Sequence, residues 1–214
     1  TEHTEYYCTQ KDAQELLPLM SEIWDEPFGD SSNIPTTLVS RLARKDVTVS
    51  LSADGGDEIF GGYNKYIQAL KCQRALSKLP FTRTFGFILE AVNPKYLIGL
   101  NKTYNFVNRY EKLKTLLKAK DEIEMMRGVS YYFTPPEVDS LLGKATIIKT
   151  SFDDKILLNS HNDAIDKMMA IDYKTYQLDD ILTKVDRATM SVGLEGREPF
   201  LDHRIIEFVS QLPS

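Results

Sequence analysis

The sequence predicts an α/β chain: the edge of a small parallel sheet, then a large and mostly helical portion. Three observations carry this. Asp46–Ser52 (DVTVSLS) alternates apolar and small polar residues, the period of a strand. Thr36–Lys45, just before it, places Leu38, Leu42 and Ala43 at helical spacing, so helix and strand follow one another as in a parallel crossover. Beyond Tyr63 the apolar period is helical almost throughout.

The elements can be justified in order. Thr4–Thr9 (TEYYCT) has the composition of a strand, and Thr9-x-x-Asp12 is a capping arrangement opening a helix over Lys11–Met20. Trp24–Pro35 is a loop, punctuated by Pro27, Gly29 and Pro35, in which Asp25, Glu26 and Asp30 can be solvated acids. The Asp46–Ser52 strand runs into Ala53-Asp54-Gly55-Gly56-Asp57-Glu58-Ile59-Phe60-Gly61-Gly62-Tyr63, which crowds carboxylates and glycines into one turn. That turn stands at the carboxyl end of a strand, where open α/β sheets bind ligands. Its glycines let backbone approach a ligand. Its acids repel a phosphate but can hold a magnesium ion that binds one. A glycine-rich turn with solvated acids is the plain alternative for these residues alone.

Tyr63, Ile67 and Leu70 mark one face of the next helix, which Leu79-Pro80 ends. Phe81–Lys120 keeps a helical period, with the lysines from Lys112 to Lys120 read as a solvated face. Thr134-Pro135-Pro136-Glu137 is a helix start with an N-cap threonine and an acid at the third position. Ala164, Met168, Ile171, Leu178 and Leu182 space out one long amphipathic helix, its methionines read as core.

Composition narrows the function classes. With 42% apolar and 27% charged residues the chain can bury a core. A net charge of -5 argues against a nucleic-acid or anionic-membrane surface. No apolar run reaches the length of about 20 residues that a membrane span needs. Cys8 and Cys72 stand in no CxxC, and His3, His161 and His203 make no metal-ligand spacing. The acidic turn lacks the alternating oxygen ligands of an EF-hand loop. No repeat or flexible linker divides the chain, so one domain is expected over 1–214.

Near the far end, Leu182-Thr183-Lys184-Val185-Asp186-Arg187 leads to Leu194-Glu195-Gly196-Arg197-Glu198-Pro199-Phe200-Leu201-Asp202-His203-Arg204. Together with the Ser52–Tyr63 turn and Asp25–Pro35, these motifs resemble the synthetase domain of glutamine-dependent asparagine synthetases, loosely between Phe81 and Asp153. The resemblance implies a parallel sheet of the adenine-nucleotide α-hydrolase (PP-loop ATPase) type, truncated here. It implies an ATP- and magnesium-dependent carbon–nitrogen ligase: the side-chain carboxylate of aspartate is adenylated, then attacked by ammonia from glutamine, giving asparagine, AMP and pyrophosphate. By position, it implies that Ser52 and Ala53 line the ATP, Asp54 is the base of the ammonia step and Asp57 a magnesium ligand. Arg187, or its neighbour Lys184, would hold pyrophosphate, and Glu58 would orient substrate. Glu195 and Arg197 would brace the turn that presents Arg187, and Asp202 would cap the last helix. Ala53 stands where the family usually has glycine, and Asp54 is one methylene shorter than the glutamate of many relatives.

The family's serine-glycine-glycine-x-aspartate-serine pyrophosphate loop and its amino-terminal cysteine nucleophile are not in the sequence and are expected upstream of Thr1, the latter in a glutaminase domain. The chain is accordingly read as an internal fragment, inactive alone, of a cytoplasmic enzyme. A homodimer stays open. Two alternatives also stay open: an amidotransferase of the same family acting on a sugar acid in surface-polysaccharide synthesis, and a non-catalytic helical interaction module.

Overall fold

The computed structural model describes residues 3–92, 94–96, 105–143, 149–161 and 163–212. In chain order they form α1 (Gln10–Leu16), α2 (Met20–Trp24), α3 (Asn33–Ala43), β1 (Val49–Leu51), α4 (Gly56–Phe60), α5 (Asn64–Ser77) and α6 (Thr82–Glu90). Then come α7 (Phe106–Lys118), α8 (Glu122–Ser130), α9 (Pro135–Leu142), α10 (Lys155–Ser160) and α11 (Ala164–Lys174). A π-helical stretch over Gln177–Leu182 leads into α12 (Thr183–Met190), β2 (Glu195–Arg197) and α13 (His203–Val209). The expectation of a mostly helical α/β chain with a short parallel sheet is met: β1 and β2 pair in parallel. The described residues divide into two compact units, one within 3–60 and 172–212, the other within 61–171.

The first unit holds the sheet. Val49, Ser50 and Leu51 lie opposite Glu195, Gly196 and Arg197. Three residues of Asp46–Ser52 are strand, because pairing with β2 ends where the turn begins. Leu38 and Ser40 of α3 and Val185, Ala188 and Thr189 of α12 are buried. Thr4–Thr9 forms no strand: its residues are exposed and bond to no partner strand among those described. Strand composition without a neighbour to pair with does not make a strand. Thr9 does cap α1, its hydroxyl accepting from the Asp12 amide while the Asp12 carboxylate accepts from the Thr9 amide. The predicted Lys11–Met20 helix is interrupted by a 3-10 turn over Leu17–Leu19, where Pro18 lacks the amide hydrogen.

The second unit is helical. Tyr66, Ala69, Met126, Met168 and Ile171 are fully buried in its core, which Ile123, Met125 and Leu157 complete. Tyr63 and Leu70 pack against that core as expected, whereas Ile67 is 49% exposed, since the buried stripe of α5 runs through Tyr66 and Ala69. The lysines of α7 are not a solvated face. The Lys112 Nζ donates to the Val129 carbonyl at 2.7 Å, Lys114 pairs with Glu111 at 2.7 Å, and Lys118 pairs with Glu90. The part of that helical run at 97–104 lies outside the described residues.

Thr134 opens α9 as expected, sharing a capping box with Glu137. Burial alone would raise the Glu137 carboxyl, but hydrogen bonds from the Thr134 amide and hydroxyl and from Asn108 hold it below its ordinary value. Thr134→Ala is therefore expected to cost about 1 kcal/mol, read as a lower denaturant midpoint with an unchanged slope.

The predicted long helix from Ala164 to Leu182 is not continuous. Met168 and Ile171 are core, but Leu178 is 57% exposed. The wider π turn inserts residues into the register, so Ile181, Val185 and Ala188 become the buried stripe instead.

Candidate active site

The site is built where the two parallel strands end. The Ser52 amide donates to the Arg197 carbonyl at 2.9 Å, the last rung of the pair. Past that rung the chains leave side by side, one into Ala53–Asp57 and the other into Glu198–Leu201. The Ser52 hydroxyl donates to Asp54 Oδ2 at 2.8 Å, and the Asp54 amide returns a bond to Ser52 Oγ at 3.3 Å. The two predicted residues are thus one local lock that fixes the carboxylate.

Gly55 has φ +90°, and a Cβ there would stand 2.3 Å from Leu201 Cδ2. Glycine is required on both counts, backbone conformation and space. Gly56 lies under the Phe200 ring, which meets Phe60 edge-on at 5.8 Å between centroids. Ala53 is exposed and is not among the described non-glycine residues of positive φ, so its methyl group is tolerated there.

Asp57 and Glu58 fall in the first turn of α4 and part company. Asp57 is exposed. Glu58 is 2% exposed, and the Gln177 amide, turned to face it, donates to both carboxylate oxygens at 2.9 and 3.0 Å.

The cations on α12 also differ. Lys184 is buried, its Nζ donating to Asp30 Oδ2 at 2.9 Å and to Ser32 Oγ at 2.8 Å. Burial pushes the Asp30 carboxyl up, but the hydrogen bonds of Ser32 and Lys184 outweigh it and leave it below its ordinary value. Asp180, in the π turn, is driven the other way by burial and by the Asp30 charge, and its Oδ1 is buried without a hydrogen-bond partner. Arg187 Nη1 donates to Asp25 Oδ2 at 2.6 Å in an exposed pair, the Asp25 side chain being 74% exposed. Asp30 is therefore the half-buried partner of Lys184 rather than a solvated acid, whereas Asp25 pairs with Arg187 while staying exposed, as Glu26 does.

These pairs predict a stability difference. Lys184→Ala should cost about 3 kcal/mol, since it leaves Asp30 charged, half-buried and unpaired beside Asp180. Because folding lowers the Asp30 value, the pair stabilises above the ordinary aspartate range and loses its contribution as pH falls below about 4. The gap between variant and parent in chemical denaturation should accordingly be full at neutral pH and shrink in acid.

Glu195 and Arg197 pair with each other along β2, Arg197 Nε donating at 2.8 Å. Asp202 caps α13 through the Arg204 amide, and the Arg204 guanidinium holds its carboxyl well below the usual range. The residue that sequence reading missed is Glu198. It is half-buried at the end of β2, and burial, then the charges of Asp54 and Asp186, push its carboxyl up. Its sequence position, one residue after an ion pair and before a proline, carries no such signal.

A cleft of about 470 Å³ opens against this turn, with Val39, Leu51 and Val185 beside Ser52 and Asp54. Apolar walls with a few convergent polar groups are the ordinary lining of a small-molecule site. Among the described residues no three His, Cys, Asp or Glu side chains gather as a metal cage. Magnesium carried on a nucleotide does not require one: a carboxylate or two plus phosphate oxygens and water suffices, and exposed Asp57 fits that donor set.

Comparison with known proteins gives one family. The asparagine synthase model matches residues 1–214. A provisionally named glutamine-hydrolysing asparagine synthetase 2 of Methanocaldococcus jannaschii is 34% identical over 89% of this chain and 35% of its own length. Glutamine-hydrolysing asparagine synthetase 1 of Bacillus subtilis is 30% identical over 92% of this chain and 30% of its own. The chain thus spans about a third of the length of the curated relatives it matches. No solved structure matches it. The order of the motifs and the family match agree, and the chain belongs to the asparagine synthase family.

Proposed function

We propose that this chain is part of the synthetase domain of an ATP-dependent, AMP-forming amide synthetase. Its fold is then a portion of a PP-loop ATPase sheet. Its reaction is adenylation of the aspartate side-chain carboxylate, followed by attack of ammonia drawn from glutamine by a glutaminase domain, to give asparagine. The observation that carries the reading is the Ser52–Asp57 turn, fixed at the carboxyl end of a parallel pair and opening on an apolar cleft.

Each residue then has a task. Ser52 and Ala53 line the nucleotide, Ser52 also aiming Asp54. Asp54 receives the proton of the attacking nitrogen. Asp57 holds magnesium, which when bound neutralises phosphate charge. Arg187 binds the departing pyrophosphate; its exposed pair with Asp25 can open at little cost, whereas Lys184 is committed to Asp30 and Ser32. Glu58, held by Gln177, supports the turn from beneath and orients substrate through it. Among the described residues no helix is long and apolar enough to cross a membrane, and an ATP-consuming ligase of this kind works in the cytoplasm.

The test is isotope exchange between pyrophosphate and ATP in the full-length polypeptide. Exchange that requires aspartate supports the reading. Exchange that requires a sugar acid instead keeps the chemistry and changes the acceptor. No exchange with either would leave the non-catalytic module.

A further inference from the structure

We propose that Asp25 is the resident anion of the pyrophosphate contact: its carboxylate holds the Arg187 guanidinium before nucleotide binds, yields it to the phosphates, and reclaims it as pyrophosphate leaves. This rests on the amide-synthetase reading above, in which Arg187 is that contact.

The pair is direct, Arg187 Nη1 donating to Asp25 Oδ2 at 2.6 Å. The segment from Asp25 to Asp30 is strapped to α12 twice, by Asp30 on Lys184 and by Asp25 on Arg187. The two straps differ in access. The Lys184 and Asp30 side chains are 10% and 18% exposed, those of Arg187 and Asp25 42% and 74%. Water can therefore solvate the outer pair as it opens, and such a pair contributes little to stability. The inner pair keeps the segment in place meanwhile. Trp24, beside Asp25, is a second anchor: it is buried, with its ring 5.7 Å from that of Phe28 between centroids.

The backbone at Asp25 gives an independent reason. Asp25 ends α2 with φ 59° and ψ −20°, in the left-handed region, its amide donating to the Ser21 carbonyl at 3.1 Å. Glycine or asparagine suits such a helix end. A carboxylate is disfavoured there, because the aligned peptides present their negative end to it. Local structure thus argues against aspartate at the position whose carboxylate reaches Arg187. Side chains that break a local rule in this way mark functional sites. The carboxylate is there for the guanidinium.

Competition follows from the donors. A guanidinium binds carboxylate and phosphate through the same N–H groups, so Asp25 and pyrophosphate exclude each other at Nη1. Pyrophosphate must displace Asp25 to bind, and the return of Asp25 helps it off. No covalent bond changes in this exchange.

The experiment is calorimetric titration of the full-length polypeptide with magnesium pyrophosphate, in the parent, Asp25→Asn, Arg187→Ala and the double variant, with thermal melting of each. Asparagine keeps the shape and tolerates the left-handed backbone, so only the charge is removed. Asp25→Asn should bind pyrophosphate about threefold tighter, the scale of an exposed ion pair, and melt no lower than the parent. In the Arg187→Ala background the same substitution should change nothing. If Arg187→Ala weakens binding while Asp25→Asn leaves it unchanged or weaker, the resident anion is overturned and the Arg187 reading stands. Tightening that persists without Arg187 would be repulsion through space and would overturn it too. A lower melting temperature for Asp25→Asn would make the carboxylate a brace of the fold instead. If Arg187→Ala binds pyrophosphate as the parent does, both readings fall.

Discussion

Asp54→Asn is expected to slow amide formation by about a hundredfold to ten-thousandfold, the worth of a positioned base, while the adenylation step is far less affected. The asparagine side chain keeps the shape and can still accept the Ser52 hydroxyl, which donates at 2.8 Å in the native turn. What it loses is the capacity to take a proton from nitrogen. Comparing pyrophosphate exchange with product release therefore separates the two steps. Undiminished amide synthesis would remove Asp54 from the chemistry.

Arg187→Ala should act on the other step. Loss of one cation from the charge that builds on departing pyrophosphate is worth roughly 3 kcal/mol, about a hundredfold in the rate of exchange. Stability should barely change, because its pair with Asp25 is exposed and such pairs contribute little. Lys184→Ala shows the reverse expectation, a damaged fold. A Lys184→Ala protein that melts normally yet loses exchange, beside a silent Arg187→Ala, would move the pyrophosphate contact one helical turn.

The turn itself was legible because its physics is local. Ser52, Asp54 and Gly55 sit within four positions, and strand end, side-chain lock and positive φ follow from neighbouring residues. The capping boxes at Thr9 and Thr134 were legible for the same reason. What escaped depends on distant partners. Nothing near Asp30 in the sequence announces Lys184, and nothing near Glu198 announces Asp54. Apolar spacing from Ala164 predicts one continuous helix because spacing alone does not reveal a π turn, which shifts the buried stripe from Leu178 to Ile181. Thr4–Thr9 had strand residues and no strand to join.

The proposed function turns on activation of a carboxylate as its adenylate. The most direct measurement supplies the full-length polypeptide with ATP, magnesium, ammonia and aspartate labelled with heavy oxygen in its side-chain carboxylate. The adenylate route predicts that one labelled oxygen passes from aspartate to the phosphate of AMP as the amide forms. Label found in inorganic phosphate with ADP as the other product, or amide made with unlabelled AMP, would contradict it.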